Sequence, residues 1–323
     1  MQVALIAQDV HFTQYDASPL NINPANTGNY DGFWRFSGNF RTQWRSIGDP
    51  YNTTSLGFDK SGKRNGGNLS FGLYLLSDES GNTNLRSNRA YANFAVHLGK
   101  EKFKIHFGVQ PGLIQKSIDL SKTTFPAQYD ANSGFFNINF DNQETGLFET
   151  VSYADVNAGL ALDAYGNQTH FNFGFSVQHL LQPNESFFRN NFDLPMRSTI
   201  HMKYSFPVTA SVFLIPKLQY MMQSNASEAI AGLYVSKELY ERPYEIKAVY
   251  MGLSGRLGVD RNTDAFNIIV GTQFDRLDLG LSYDLNISDL REYSDLRGAF
   301  EVSFVYWSGK LDYKPTTVIC ERL

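Results

Sequence analysis

FNIIVGTQFDRLDLGLSYDLNIS, residues 266–288, carries the pattern that decides the fold. Phe266, Ile268, Val270 and Phe274 alternate with Asn267, Gly271, Gln273 and Asp275. Beyond a tight turn at Arg276, Leu279, Leu281, Tyr283, Leu285 and Ile287 alternate with Asp278, Gly280, Ser282, Asp284, Asn286 and Ser288. Successive side chains of a strand point to opposite faces, so each strand has one apolar face and one polar or glycine face.

The same period extends in both directions. Phe300, Val302, Phe304 and Tyr306 alternate with Glu301 and Ser303. Phe171, Phe173, Phe175 and Val177 oppose Asn172, Gly174, Ser176 and Gln178, and Ile200, Met202, Tyr204 and Phe206 oppose Thr199, His201, Lys203 and Ser205. Fourteen such segments can be counted: 33–46, 52–59, 67–78, 87–98, 102–117, 149–164, 168–180, 196–206, 209–223, 226–240, 244–257, 263–275, 277–289 and 296–308. Many exceed the ~5–6 residues of an ordinary strand and match the ~9–11 that a tilted membrane strand needs. That length argues against a soluble sandwich or propeller, which would also alternate. Pro216 interrupts the ninth segment, and a bulge is expected to absorb it.

Connections after even-numbered segments are mostly tight, whereas 119–148 and 181–195 are long. Outer-membrane barrels pair short periplasmic turns with long extracellular loops. The expectation is an all-β, transmembrane antiparallel barrel of about 14 strands over 32–308. Both termini are expected in the periplasm, and strands one and fourteen should pair near Arg35–Trp44 and Phe300–Tyr306. Trp34, Trp44, Tyr153, Tyr240, Tyr306 and Trp307 suit interfacial girdles. Residues 1–8 read as a signal-peptide remnant or frayed terminus, and 309–323 as a periplasmic C-terminal tail.

Composition agrees with this class. The 323 residues include 28 Lys+Arg against 32 Asp+Glu, a net charge of −4 without the basic excess of a nucleic-acid binder. Mean hydropathy is −0.32, with no run of ~18 apolar residues for a spanning helix; only alternate residues of a barrel meet lipid. The single Cys320 builds no disulfide framework, and the six histidines fall in separate segments without metal-site spacing. No GxSxG or HExxH motif is present, so no cofactor, no metal and no enzymatic activity are expected.

Residues 9–31 contain Asn21, Asn23 and Asn26 with Pro19, Pro24 and Gly28, a composition that supports neither a regular strand nor a helix. Two readings are open: a plug folded into the lumen, or a periplasmic lead-in. Between Asp119 and Phe148, Phe125, Tyr129, Phe135, Phe136 and Phe140 stand among Asn, Asp and Ser, as at protein interfaces. They are the candidate partner-binding residues; the competing reading is an inward-folded lid.

DVHFTQYDASPLNINPANTG, residues 9–28, resembles the opening of the PorP/SprF family of type IX secretion system membrane proteins, with matches at Phe12, Gln14, Tyr15, Pro19, Leu20, Asn23, Pro24, Ala25 and Gly28. The similarity continues at Arg41, Gln43, Trp44, Ser55 and Asp59. It returns at Gly258 to Arg261 (including Asp260), at Leu281 to Leu290 (including Tyr283, Asp284 and Ser288), and at Gly298 to Ser303. The tail from Ile319 to Leu323 is similar to the family's ending, with Glu321 and Leu323 in place of proline and phenylalanine; Asp16 and Ala17 also depart from the family's apolar habit. The resemblance implies the outer membrane of Bacteroidota and work with type IX secretion components. It also implies retention of a secreted adhesin, through that adhesin's C-terminal domain, by a barrel monomeric within a hetero-complex. The rival expectation is a channel for a small hydrophobic or polar solute.

Overall fold

The computed structural model describes residues 9–309 except 47, 63–67, 82–84, 101, 123, 138, 145–146, 189–190, 240–245, 260–262 and 290. The expected signal remnant, most of the C-terminal tail with Cys320, and Tyr240, Asp260 and Arg261 lie outside the described residues. The strands are β1 Trp34–Gln43, β2 Tyr51–Lys60, β3 Leu69–Ser80, β4 Leu85–Lys100, β5 Phe103–Ser117, β6 Tyr129–Asp130, β7 Phe135–Phe136 and β8 Thr150–Tyr165. They continue as β9 His170–Gln178, β10 Arg197–Pro207, β11 Val212–Gln223, β12 Ala226–Glu238, β13 Ile246–Val259, β14 Thr263–Phe274, β15 Leu277–Asn286 and β16 Arg297–Trp307. All but β6 and β7, which form a small hairpin, close into one antiparallel barrel. Its fourteen strands are the fourteen alternating segments.

Closure joins β1 to β16 from Arg35↔Trp307 to Gln43↔Ala299. In hydrocarbon an unpaired amide or carbonyl costs several kcal/mol, so a sheet must lose its edges to span. The faces follow the alternation. Leu281 is 47% exposed and its neighbour Ser282 only 3%. Outward side chains are Phe, Leu, Val and Ile; inward ones such as Asn267, Asp284 and Glu301 are buried and polar.

Three local expectations change. Pro216 causes no bulge: the β10–β11 pairing lapses between Lys203↔Lys217 and Phe206↔Leu214 and resumes in the same register, while Pro216 still pairs with Leu233. A proline lacks only the donor, so a short gap on one side suffices. Tyr153 is not a girdle residue: it packs inside against the cluster of Phe12, Leu20, Tyr74, Leu76, Tyr91 and Ile114. Trp307 also leaves the girdle and lines an inner cavity with Gln14 and Tyr250. Trp34 and Tyr306 pack against each other on the outer face, with ring centroids 5.3 Å apart and planes tilted by 42°.

The barrel has a short-turn end, at Lys100/Phe103 and Phe274/Leu277, and a long-loop end, where 118–149 and 179–196 emerge. The barrel chain starts and finishes at the short-turn end, Trp34 and Trp307. Residue 9 does not. Asp9 contacts Arg89, His179 and Gln223 near the long-loop end, so the expectation of both termini on the short-turn side fails for the N-terminal segment.

Candidate functional site

Residues 9–33 run between the mouths against inward side chains of strands on opposite walls. Local sequence shapes the path. Tyr15–Ala17 forms a 3-10 turn, Pro19–Ile22 one helical turn with proline at its start, and Pro24–Asn26 another 3-10 turn. The Asn23 side chain accepts the Ala25 amide at 2.9 Å, capping the last turn. Gly28 sits at φ +69, and a Cβ there would lie 2.1 Å from Ser70 Oγ, so both backbone and space demand glycine. Its amide donates to Asp59 Oδ2 at 2.6 Å, beside the Arg35–Asp59 ion pair.

Nearer the long-loop end, Thr13 occupies the centre of a buried ionic network. The amides of Thr13 and Gln14 donate to the two oxygens of Glu301 at 2.9 and 2.8 Å. Thr13 Oγ1 donates to Asp284 at 2.9 Å and accepts from Arg41 at 2.8 Å and Arg256 at 2.6 Å. Arg41 also bridges Asp284 at 2.8 Å and Glu301 at 3.2 Å, and Arg256 reaches Asp284 at 3.0 Å. Ser303 Oγ donates to Gln14 Oε1 at 2.8 Å.

The opposite wall holds the segment through a floor of glycines. Asn23 Nδ2 donates to the carbonyls of Leu160, at 2.9 Å, and Phe175, at 3.3 Å. A Cβ on Gly159 would meet Asn23 Oδ1 at 1.9 Å, and one on Gly108 the Pro24 carbonyl carbon at 2.2 Å. Gln110, Gln178 and Ser176 donate to the carbonyls of Leu20, Asn21 and Ile22. At the long-loop end Asp9 binds Arg89 at 2.7 Å and His179 at 2.5 Å. Burial resists its ionisation, but Arg89, His179 and Arg197 outweigh that and hold its carboxyl well below the usual range. Asp16, a departure from the family pattern, pairs with Lys217 at 2.5 Å and Lys203 at 3.5 Å. Burial again opposes its charge, and the two lysines bring the net pKa down.

The site residues read from sequence therefore divide. Gln14, Tyr15, Pro19, Asn23, Pro24 and Gly28 are all buried in the lumen, Gly28 towards the short-turn end. Asp284 joins their network, whereas Tyr283 faces outward, 40% exposed, and Ser288 caps the turn after β15 through Asn286. Thr13, Arg256 and Asp9 were missed as site residues. The histidines are less scattered than the sequence suggests: His97 and His106 contact each other, and His106 and His170 both contact Asp163, at 3.0 and 2.6 Å. Among the described residues no group of three His, Cys, Asp or Glu is arranged to hold a metal.

At the long-loop mouth, Tyr129, Phe135, Phe136 and Phe140 are exposed, Phe135 by 75%, while Phe125 is half-buried. Tyr129 and Phe136 pack edge to face across the β6–β7 hairpin. The two long loops are tied together by Phe148 N donating to Phe187 O at 2.8 Å, and Glu185 of the second loop pairs with Lys116 at the end of β5. A cavity of about 480 Å³ opens on this side of the segment, lined by Asp9 to His11, and one of about 750 Å³ on the other, lined by Tyr15, Asp16 and Tyr30.

A closed fourteen-stranded wall with an apolar exterior and a polar interior defines an outer-membrane β-barrel. The chain belongs to the type IX secretion system membrane protein PorP/SprF family, whose pattern matches residues 4–306. No curated protein sequence matches it. Among solved structures it is similar to the Ralstonia pickettii toluene transporter TbuX, at 13% identity over 94% of this chain and 95% of that one, with a TM-score of 0.51. It is also similar to a TodX monoaromatic hydrocarbon channel mutant, at 10% identity over 90% and 94%, and to the CymD monoaromatic hydrocarbon channel, at 9% over 91% and 93%, each with a TM-score of 0.51. These likenesses show the barrel fold. Family and fold together place the protein in the outer membrane as a component associated with type IX secretion.

Proposed function

We propose that this barrel is a non-enzymatic anchor that retains a secreted surface adhesin, through its C-terminal domain, at the cell surface. The observation that carries the reading is the occupied lumen. Residues 9–31 make hydrogen bonds and ion pairs with both walls, which leaves the long-loop mouth as the surface open to a large partner. Exposed aromatics on 125–140 fit that role, since interface energy concentrates in such side chains. The barrel itself acts as a monomer within a hetero-complex and needs no cofactor.

Deletion of 122–145 tests this. The deleted barrel is expected to reach the outer membrane in folded form while the adhesin is released to the medium. Unchanged retention would refute the loop as the docking surface. A solute channel is the rival reading, and the segment's contacts weigh against it. Planar-bilayer recordings are expected to show little conductance in the full chain and opening after removal of 9–31.

A further inference from the structure

The cavity of about 480 Å³ at the long-loop mouth carries a charge imbalance. Among the described residues of the Thr13 network, three carboxylates, Asp284, Glu301 and Glu228, share two guanidiniums, Arg41 and Arg256. His11 Nε2 stands 3.6 Å from Glu228, but burial and the charges of Arg256 and Arg41 hold its imidazole neutral at physiological pH. Within this network the carboxylates outnumber the guanidiniums by one.

Glu228 is the least closely paired of the three. Its side chain is only 3% exposed, it lines the cavity, and Oε1 has no hydrogen-bond partner; Arg256 Nε is 3.8 Å away, beyond hydrogen-bond reach. Asp9, Asp78, Asp264 and Asp284 also line the cavity, and the bonds of Asp78 come from the neutral hydroxyls of Thr53 and Ser80. A buried carboxylate whose counter-charge is shared and out of hydrogen-bond reach is costly, so the arrangement favours a further cation.

The lining is also aromatic. Trp44 and Tyr51 meet edge to face with centroids 5.0 Å apart. Trp44 holds φ +60, a left-handed backbone that a bulky residue rarely adopts, fixed by its amide donating to Gly298 O at 3.1 Å. Observed strain of this kind gathers at binding sites. Aromatic faces attract organic cations, which separates the site from one built for a bare metal ion.

We propose that this cavity binds a cationic side chain, lysine or arginine, projected into the mouth by the secreted partner. The inference rests on the anchoring reading and names the chemistry of the docked tip. A cavity of this volume admits one such side chain with its flanking backbone.

The test uses the full chain in detergent micelles and calorimetric titration with acetyl-Gly-Lys-Gly-amide and its norleucine counterpart. The lysine peptide is expected to bind at least about tenfold tighter than the neutral one, a difference of ~1.4 kcal/mol. Glu228→Gln and Asp78→Asn should each weaken it about three- to tenfold, and Trp44→Leu about two- to fivefold. Asp78→Asn keeps the side-chain shape at the cavity wall, so it carries the test if Glu228→Gln fails to fold. Equal binding of the two peptides overturns the proposal, as does a site that takes calcium chloride and ignores the lysine peptide. Absent peptide binding with loop-dependent adhesin retention overturns this inference and leaves the anchoring reading standing.

Discussion

Asp284→Ala tests how firmly the lumen segment is held. The Asp284 carboxylate is 2% exposed and takes Arg41 at 2.8 Å, Arg256 at 3.0 Å and the Thr13 hydroxyl at 2.9 Å. Two charge-assisted bonds contribute ~1.5–3 kcal/mol each and the hydroxyl about 1. Arg41 keeps Glu301, but Arg256 keeps only the neutral Thr13 hydroxyl at 2.6 Å and, as counter-charge, Glu228 at 3.8 Å. Removing one partner of a buried pair costs about 3–5 kcal/mol, mostly through the charge left behind, and that is the expected loss. It is read as a lowered urea midpoint for the barrel refolded in lipid vesicles, together with faster proteolysis inside residues 9–31. Thr13→Val shares the network, so the double variant should cost less than the two single losses combined. A change below about 1 kcal/mol, with 9–31 still protected, would refute the reasoning that the ionic network secures the segment.

Four further outcomes follow from the same geometry. Leu281→Arg places a charge in hydrocarbon and should cost ~2–4 kcal/mol at mid-bilayer in refolding measurements. Ser282→Arg, which the alternation alone would rate as mild, should also destabilise, because Ser282 lies 3.4 Å from Gln14 Nε2 with no room for a long side chain. Gly159→Ala is expected to dislodge the Asn23–Pro24 turn and expose 9–31 to protease, and Asn23→Ala in the same chain should restore part of the protection, since its Oδ1 is the atom the new Cβ would strike. Asp16 ionises more readily in the folded state than in the unfolded one, so its contribution is present at neutral pH and fades as pH falls below the ordinary carboxylate value of ~3.9. Asp16→Asn should thus cost at most about 1 kcal/mol at pH 7, given its partial exposure, with the gap from the parent chain closing in acid denaturation curves.

Much of this protein is written in single strands. Alternation such as Leu279-Gly280-Leu281-Ser282 is a local property, and side-chain direction in a strand depends only on residue parity, so strand number, facing and barrel class can be read without any partner in view. Turn chemistry around Pro19, Asn23, Pro24 and Gly28 likewise marks the irregular segment. Its place in the molecule is another matter. Thr13 meets Asp284 across 271 residues, Gln14 meets Ser303 across 289, and Asn23 meets the glycine floor of β8 and β9 across 137 and 152. No local period encodes such contacts; they exist because closure of β1 on β16 brings walls distant in sequence around one lumen. The packing of Tyr153 against Phe12 and Leu20 and the unbonded Oε1 of Glu228 arise in the same way, from which side chains the closed wall sets face to face.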